Sequence, residues 1–416
     1  MDKPPSAFSF RDYRFYWSAR LMSSLAQMSM VIVIGWQVYD IARQTMPLKE
    51  AALQLGYIGL VQFIPLFALT LIVGWTADRI DRRWIARAVL LLQASCAFAL
   101  AVLTHQKAIT LPALFTIAAL LGVGRAFAQP AIQALAPNLV PRNVLPGAIA
   151  LSSMALQTGA ICGPAIGGYL YAANPTLPYA FSTVLYLLSC AALFAIRPIK
   201  RPETPGPGNP FAQMIEGLRY VRHNRLVLGA ISLDLFAVLL GGATAMLPIF
   251  ARDILHAGAA GLGHLRMAPA VGALLIGLWL ARYPSKGGVG VKLLVSVAIF
   301  GAATIAFGFS RNMALSLFCL VVVGAADMFS VYVRQSLIQL HTPDAMRGRV
   351  GAVSMLFISA SNELGEAESG LLAAAIGPVA GVVGGGVGAI FIAWLWGRIF
   401  PEIRNAKTLD IPRAPE

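Results

Sequence analysis

Long apolar runs recur from one end of this chain to the other, and they constrain its folding more than any motif does. They fall at 18–39, 53–76, 84–104, 111–135, 147–171, 179–196, 226–250, 261–280, 291–309, 313–337, 350–372 and 380–396. At roughly 17 to 25 residues, each is long enough to carry an α-helix across a hydrocarbon core of about 30 Å. The 416 residues are 58% hydrophobic and only 12% charged, so they hold far more apolar surface than a soluble core of this size buries. The expected fold is an all-α membrane protein of about twelve transmembrane helices, with lipid as its solvent.

The net charge of +14 raises the question of nucleic acid. Its placement answers against that partner, because Lys and Arg of membrane proteins concentrate in cytoplasmic loops. With the N-terminus cytoplasmic, about 23 basic residues fall on the cytoplasmic side, about five outside and about four within spans. The cytoplasmic group includes Arg79, Arg82, Arg83 and Arg87, and further on Arg197, Lys200, Arg201, Arg219, Arg222 and Arg225. Both termini are then cytoplasmic, and the partner of the basic surface is the lipid bilayer.

Arg11, Arg14, Phe15, Tyr16 and Trp17 precede the first apolar run and read as an interfacial amphipathic lead-in without a cleavage site. Cys96, Cys162, Cys190 and Cys319 all lie inside apolar runs, where a thiol acts as a small hydrophobe. The five histidines are scattered without metal-ligand spacing, so neither a metal nor a cofactor is expected.

The one long connection, 197–224, opens with a Pro/Gly-rich stretch and continues as a surface helix from Phe211. It divides the chain into a six-helix bundle over 1–196 and another over 225–400, followed by a cytoplasmic tail at 401–416. The halves show residual similarity at an offset of about 202, which sets Gly122, Phe127, Gln133, Leu135 and Pro141 on Gly324, Phe329, Gln335, Leu337 and Pro343. The same offset places Arg125 opposite Asp327, each near the middle of its span, where a charge is costly unless it faces protein or a wet cavity. The two residues are expected to face one cavity and to form or exchange a charge pair; a static pair within or between helices is the alternative.

Residues 74–83 read GWTADRIDRR. The loop resembles the signature of the major facilitator superfamily, and the resemblance implies that fold: two pseudo-symmetric six-helix bundles working by alternating access. By the same resemblance Gly74, Asp78, Arg79, Asp81, Arg82 and Arg83 form a cytoplasmic gate that meets the chain near Arg347, Gly348 and Arg349. Gly74 permits close helix approach, and a carboxylate such as Asp78 is favoured at a helix start. The corresponding loop of the second half, 281–290, has lost its acid, which leaves one latch. In the fifth span, Gly159, Gly163, Pro164, Gly167 and Gly168 are similar to the motif of the antiporter branches. Small residues four apart let backbones approach, and the proline bends the helix. Further stretches, among them 35–40, 126–141, 247–255, 265–273 and 364–370, resemble the drug:proton antiporter branch that includes enterobactin and macrolide exporters. Residues 39–41 and 252–254 end their spans either as paired outer gates or as simple helix ends.

A proton-coupled carrier needs a carboxylate that cycles between charged and neutral forms. Asp234, Asp327, Glu363 and Glu366 are the candidates. Glu363 and Glu366 share a helix face, where close carboxylates couple their titrations; an alternative sets them in water at the outer mouth. Glu368 points elsewhere on that helix. Arg20 and Arg334 are expected to snorkel toward the cytoplasmic ends of their spans, with Arg334 on the face of Asp327. By resemblance the cavity is lined from the first and fourth spans, where Gln27, Trp36, Gln129 and Gln133 offer stacking and hydrogen bonds to an amphipathic ligand.

The expected function is proton-coupled export of a small amphipathic organic molecule, drug-like or siderophore-like, by a protein working as a monomer in a bacterial inner membrane. A lipid or lysolipid mover, or an importer of the same fold, is the alternative. The chain has no His-Glu-x-x-His, Gly-x-Ser-x-Gly or nucleotide-binding loop, which leaves a membrane-embedded enzyme without support. A receptor that transports nothing would leave the gate loop and the intramembrane acids without purpose.

Overall fold

The computed structural model describes residues 6–79, 81–133, 135–141, 143–197, 210–241, 243–283, 285, 287–343 and 346–406, with the side chains of 66, 70–79, 129, 130, 133, 137, 210, 211 and 213 left out. In chain order the α-helices are α1 (Arg11–Thr45), α2 (Leu48–Arg79), α3 (Arg82–His105), α4 (Leu111–Gln133), α5 (Leu145–Ala173), α6 (Leu177–Phe194), α7 (Pro210–His223), α8 (Arg225–Leu240), α9 (Leu247–Ile249), α10 (Gly258–Arg282), α11 (Val289–Phe309), α12 (Met313–Leu340), α13 (Arg347–Ile376), α14 (Pro378–Ile399) and α15 (Pro401–Arg404). Among the described residues, 11 helical stretches are long and apolar enough to cross a membrane. The twelfth long helix is α13; Arg347, Arg349, Glu363, Glu366 and Glu368 dilute its apolar character. The fold is therefore an all-α membrane bundle, with α7 as the surface helix of the long connection.

Two sequence expectations change. The run 226–250 is not one helix: α8 stops at Gly241, a 3-10 turn covers Ala243–Met246, and a π-turn covers Phe250–Ile254. Glycine is a poor residue for a helix interior, and Pro248, at the start of α9, has no N–H to continue one. The lead-in before the first span is also not a separate interfacial segment. It forms the first turns of α1, with Tyr13 and Tyr16 buried. Tyr13 donates to the Ala148 carbonyl at 2.6 Å, Trp17 Nε1 donates to the Leu151 carbonyl at 2.9 Å, and the Tyr16 and Ser152 hydroxyls lie 3.1 Å apart. Polar tips on large rings find partners on α5 that a water-facing segment would lack.

The chain falls into two compact units. One comprises Met1–Thr45, Val61–Pro207 and Ala257–Met267; the other comprises Met46–Leu60, Gly208–His256 and Ala268–Glu416. In the first, α1 packs on α4, α5 and α6, and α3 packs on α4 and α6. In the second, α11 packs on α12 and α14, while α8 meets α12, α13 and α14. The start of α2 thus belongs to the second unit, and the start of α10 to the first.

The internal packing of the units repeats. In the first, a Cβ on Gly122 of α4 would lie 2.8 Å from the Gln62 carbonyl, one turn before Pro65 in α2. In the second, a Cβ on Gly324 of α12 would run into the backbone of Pro269 in α10. Glycines matched by the offset of about 202 therefore hold the same kind of crossing beside a helix proline.

Candidate functional site

The charged centre of the second unit lies between α8 and α12. Asp234 sits two and a half turns into α8, on the side buried against α12. Arg334 of α12 reaches it with an Nη1–Oδ1 distance of 2.6 Å, and the two side chains are only 4% and 7% exposed. Ser330, one turn earlier, lies within 3.5 Å of the same guanidinium nitrogen. The expectation that Arg334 snorkels therefore fails: a buried carboxylate holds the guanidinium inside the bundle. Arg20 is buried as well, donating to the Ser152 carbonyl at 3.4 Å.

Asp327 lies on the same face of α12, three residues before Ser330 and seven before Arg334. It is half-buried, and it lines one narrow pocket with Asp234, Ser330, Arg334, Val297 and Phe300. Its charged neighbours are Asp234 and Arg334. The pocket has room for about one water molecule. Two acids thus surround one arginine, which is in contact with one of them.

Arg125 lies in the first unit, half-buried on α4, and its Nη1 donates to Gln62 Oε1 at 2.9 Å. Sequence reasoning did not single out Gln62; the signal available was its place one helical turn from Pro65 in a run otherwise almost free of polar residues. A second polar contact that went unnoticed joins α1 to α6 and α3. Buried Gln37 accepts from the Tyr179 hydroxyl at 2.5 Å and donates to Thr104 at 3.2 Å.

Gln27 is half-buried on α1, whereas Trp36 is buried with 9% exposure. The side chains of Gln129 and Gln133 lie outside the described residues.

The glycines of α5 do what small residues four apart allow. A Cβ would lie 2.5 Å from Ser24 Cβ at Gly159, 2.6 Å from Met28 Cβ at Gly163 and 2.6 Å from Ser29 Oγ at Gly167. α1 and α5 therefore touch nearly backbone to backbone over two turns. Gly168 turns to the start of α10, where a Cβ would lie 2.5 Å from the Ala259 carbonyl, and a Cβ on Gly263 would lie 2.9 Å from that of Pro164. A corresponding crossing joins α2 to α13 within the second unit. A Cβ on Gly370 would lie 2.5 Å from Gly56 Cα, and one on Gly59 would lie 2.9 Å from both the Glu363 carbonyl and Glu366 Cβ. Glu363 is buried and Glu366 half-buried at this crossing. Glu368 has a buried Oε2 that meets no hydrogen-bond partner among the described residues.

At the gate loop, Gly74, Asp78 and Arg79 belong to α2, with their side chains outside the described residues. Asp81 caps α3: it accepts the Arg83 backbone N–H at 2.9 Å and pairs with the Arg83 guanidinium at 2.7 Å. That guanidinium holds the Asp81 carboxyl below its ordinary range. Arg82 is exposed. Arg87 is buried between Trp84 and Phe194, its guanidinium carbon 4.9 and 4.3 Å from their ring centres, and it donates to the Leu193 carbonyl. In the second unit, Arg349 pairs with Glu216 of α7 at 2.7 Å, and Arg347 donates to the Gln339 carbonyl at 3.1 Å.

Comparison with known proteins agrees with this architecture. Residues 4–412 match the family described as "Transmembrane secretion effector". Enterobactin exporters EntS of Shigella boydii and Escherichia coli are 26% identical over 395 residues, covering 92% of this chain and 92% of each relative. Among solved structures, a bacterial homologue of the human lysosomal transporter Spinster superposes with a TM-score of 0.73 at 15% identity, covering 97% of this chain and 99% of its own. A D-xylose–proton symporter gives 0.69 at 14% identity, covering 96% and 99%. These structural likenesses concern the fold.

Proposed function

Because the chain belongs to the transmembrane secretion effector family of the major facilitator superfamily, we propose that it exports a small amphipathic organic molecule, drug-like or siderophore-like, in exchange for protons. The observation that carries the coupling is the arrangement of two acids around one arginine, Asp234, Asp327 and Arg334, inside a membrane-spanning unit. Arg334 neutralises one carboxylate at a time. With Arg334 on Asp234, Asp327 takes up a proton; when Arg334 moves to Asp327, that proton leaves. The protonated site is neutral, whereas loss of the proton leaves one carboxylate unpaired and one net negative charge, which is costly inside the bundle and draws the next proton in. The substrate class is supported by the enterobactin exporters among its relatives.

The glycine crossings of α5 with α1 and of α2 with α13 serve as smooth contacts on which helices rock, and Arg125 with Gln62 contributes to the substrate cavity. The basic loops face the cytoplasm, which sets both termini inside a bacterial inner membrane, and the 74–83 loop gates that side. The protein works as a monomer, without a cofactor.

The test is flux in liposomes holding purified protein, with a pH gradient imposed and a panel of amphipathic compounds that includes a catecholate siderophore. Wild type is expected to move substrate against its gradient. Asp327→Asn is expected to lose that response while keeping substrate exchange without a gradient. Gradient-driven flux that survives Asp327→Asn refutes the coupling site, and a wild type indifferent to the gradient across the panel refutes proton coupling.

A further inference from the structure

The second unit carries a surface helix, α7, whose outward face is exposed. α7 ends at His223 and α8, the start of a membrane-spanning stretch, begins at Arg225. Only Asn224 separates them, and its side chain caps α8 by accepting the Val227 N–H at 3.1 Å. A helix joined to a span by a single residue lies at the level of the bilayer surface.

The inner side of α7 is occupied. A Cβ on Gly217 would lie 2.9 Å from the Arg349 carbonyl, Val221 is 2% exposed, and the Tyr220 hydroxyl donates to the His341 carbonyl at 2.9 Å. The opposite side carries Ile215 at 57% and Leu218 at 48% exposure, with Arg219 and Arg222 exposed beside them. These four positions, at i, i+3, i+4 and i+7, share one helical face. Large aliphatic side chains flanked by arginines fit the boundary between headgroups and acyl chains, where the stems sink and the guanidinium groups reach the phosphates. At the C-terminal end of α7 an open cleft is lined by Tyr220, His223, Asn224, Arg225 and Glu402. Arg225, although bridged to Glu402 at 2.7 Å, keeps 60% of its side chain exposed there.

We propose that the outward face of α7, continued into the Arg225 cleft, binds an anionic phospholipid. Its acyl chain covers Ile215 and Leu218, and its phosphate is held by Arg219 and Arg222, with Arg225 at the edge. Charge decides the occupant: Arg219 and Arg222 face outward beside Arg225, whose charge Glu402 balances, and the one acid of α7, Glu216, is paired with Arg349. Because Glu216 holds the first turn of α13, a lipid seated on α7 also steadies that turn.

The experiment titrates purified full-length protein in detergent with phosphatidylglycerol or phosphatidylcholine and counts bound lipid by native mass spectrometry. Wild type is expected to prefer phosphatidylglycerol. Each arginine near an anionic lipid contributes about fivefold in affinity, so Arg219→Gln with Arg222→Gln is expected to weaken phosphatidylglycerol binding about 25-fold. Ile215→Ser serves as an independent variant that weakens binding without touching a charge. Gel filtration establishes that the variants remain folded. Equal binding of the two lipids, unchanged binding in the arginine double variant, or displacement of the lipid by millimolar inorganic phosphate would each overturn the proposal.

Discussion

Replacing Arg334 with Met is the substitution whose cost the structure sets most directly. The guanidinium and the Asp234 carboxylate are 2.6 Å apart and at most 7% exposed. Removing the cation leaves Asp234 buried beside Asp327 with nothing to balance either. Breaking a buried pair from one side costs about 3–5 kcal/mol, which moves the unfolding equilibrium by roughly two to four powers of ten. Removing both charges of the pair, with Asp234→Leu added to Arg334→Met, fills similar volume and leaves only the half-buried Asp327, and such exchanges are often neutral or stabilising by about 1–4 kcal/mol. Equilibrium unfolding in mixed micelles of increasing SDS fraction reads both variants. The single variant is expected to unfold at a clearly lower SDS fraction, and the double variant near the wild type, while gradient-driven flux is lost in both. If Arg334→Met unfolds with the wild-type midpoint, or if the double variant loses the sum of both singles, the pair does not carry the balance described.

Three smaller predictions follow from packing, hydrogen bonding and charge. Gly159→Ala places a Cβ 2.5 Å from Ser24 Cβ and 2.9 Å from the Ser24 carbonyl carbon, whereas a Cβ at Gly147 meets nothing within 4 Å; the first is expected to cost about 1–3 kcal/mol and the second almost nothing, as read by thermal unfolding. Tyr179→Phe removes the hydroxyl that Gln37 accepts inside the first unit, for an expected loss of about 1–3 kcal/mol in the same assay. The Asp81 carboxyl is held below its ordinary pKa of 3.8 by Arg83, so its contribution is present above that value and is lost as pH falls through the lower folded-state value. Asp81→Asn is expected to lower stability at neutral pH slightly, the side chain being 38% exposed, and to flatten the acid limb by the same small amount.

The long helices were legible because lipid demands a run of apolar residues of nearly fixed length, and the α5 motif because a four-residue glycine period means one thing, close helix approach. Legibility failed where the decision lay in a partner distant along the chain. Arg334 read as a residue free to snorkel because nothing near it in sequence points to Asp234, a hundred residues earlier. Tyr16 and Trp17 read as part of an interfacial lead-in because their composition fits one; only the Ser152 hydroxyl and the Leu151 carbonyl of α5 draw them inward. The break at Gly241 was hidden inside an unbroken apolar run, since hydropathy measures solvent preference and carries no information on backbone continuity. Conversely, α13 holds enough charge to weaken its apolar signal, yet it forms one 30-residue helix, because its buried face packs on α8 and α14.

The duplicated halves give Arg125 and Asp327 equivalent places, beside Gly122 and Gly324, and the two units surround them differently. Arg125 donates to a neutral amide, Gln62, while Asp327 stands beside an ion pair. A cation on an amide has no proton to exchange at working pH, since a guanidinium does not release one, whereas a carboxyl group can both bind and release one. If coupling belongs to the second unit alone, Arg125→Gln is expected to weaken substrate affinity while flux still follows the pH gradient. If Arg125 instead trades charge with Asp327 during the cycle, Arg125→Gln will uncouple flux from the gradient just as Asp327→Asn does. Substrate titrations with and without the gradient, on these two variants in the same liposomes, separate the cases: a shift in half-saturation alone assigns Arg125 to the cavity, and loss of the gradient response in both variants refutes that assignment.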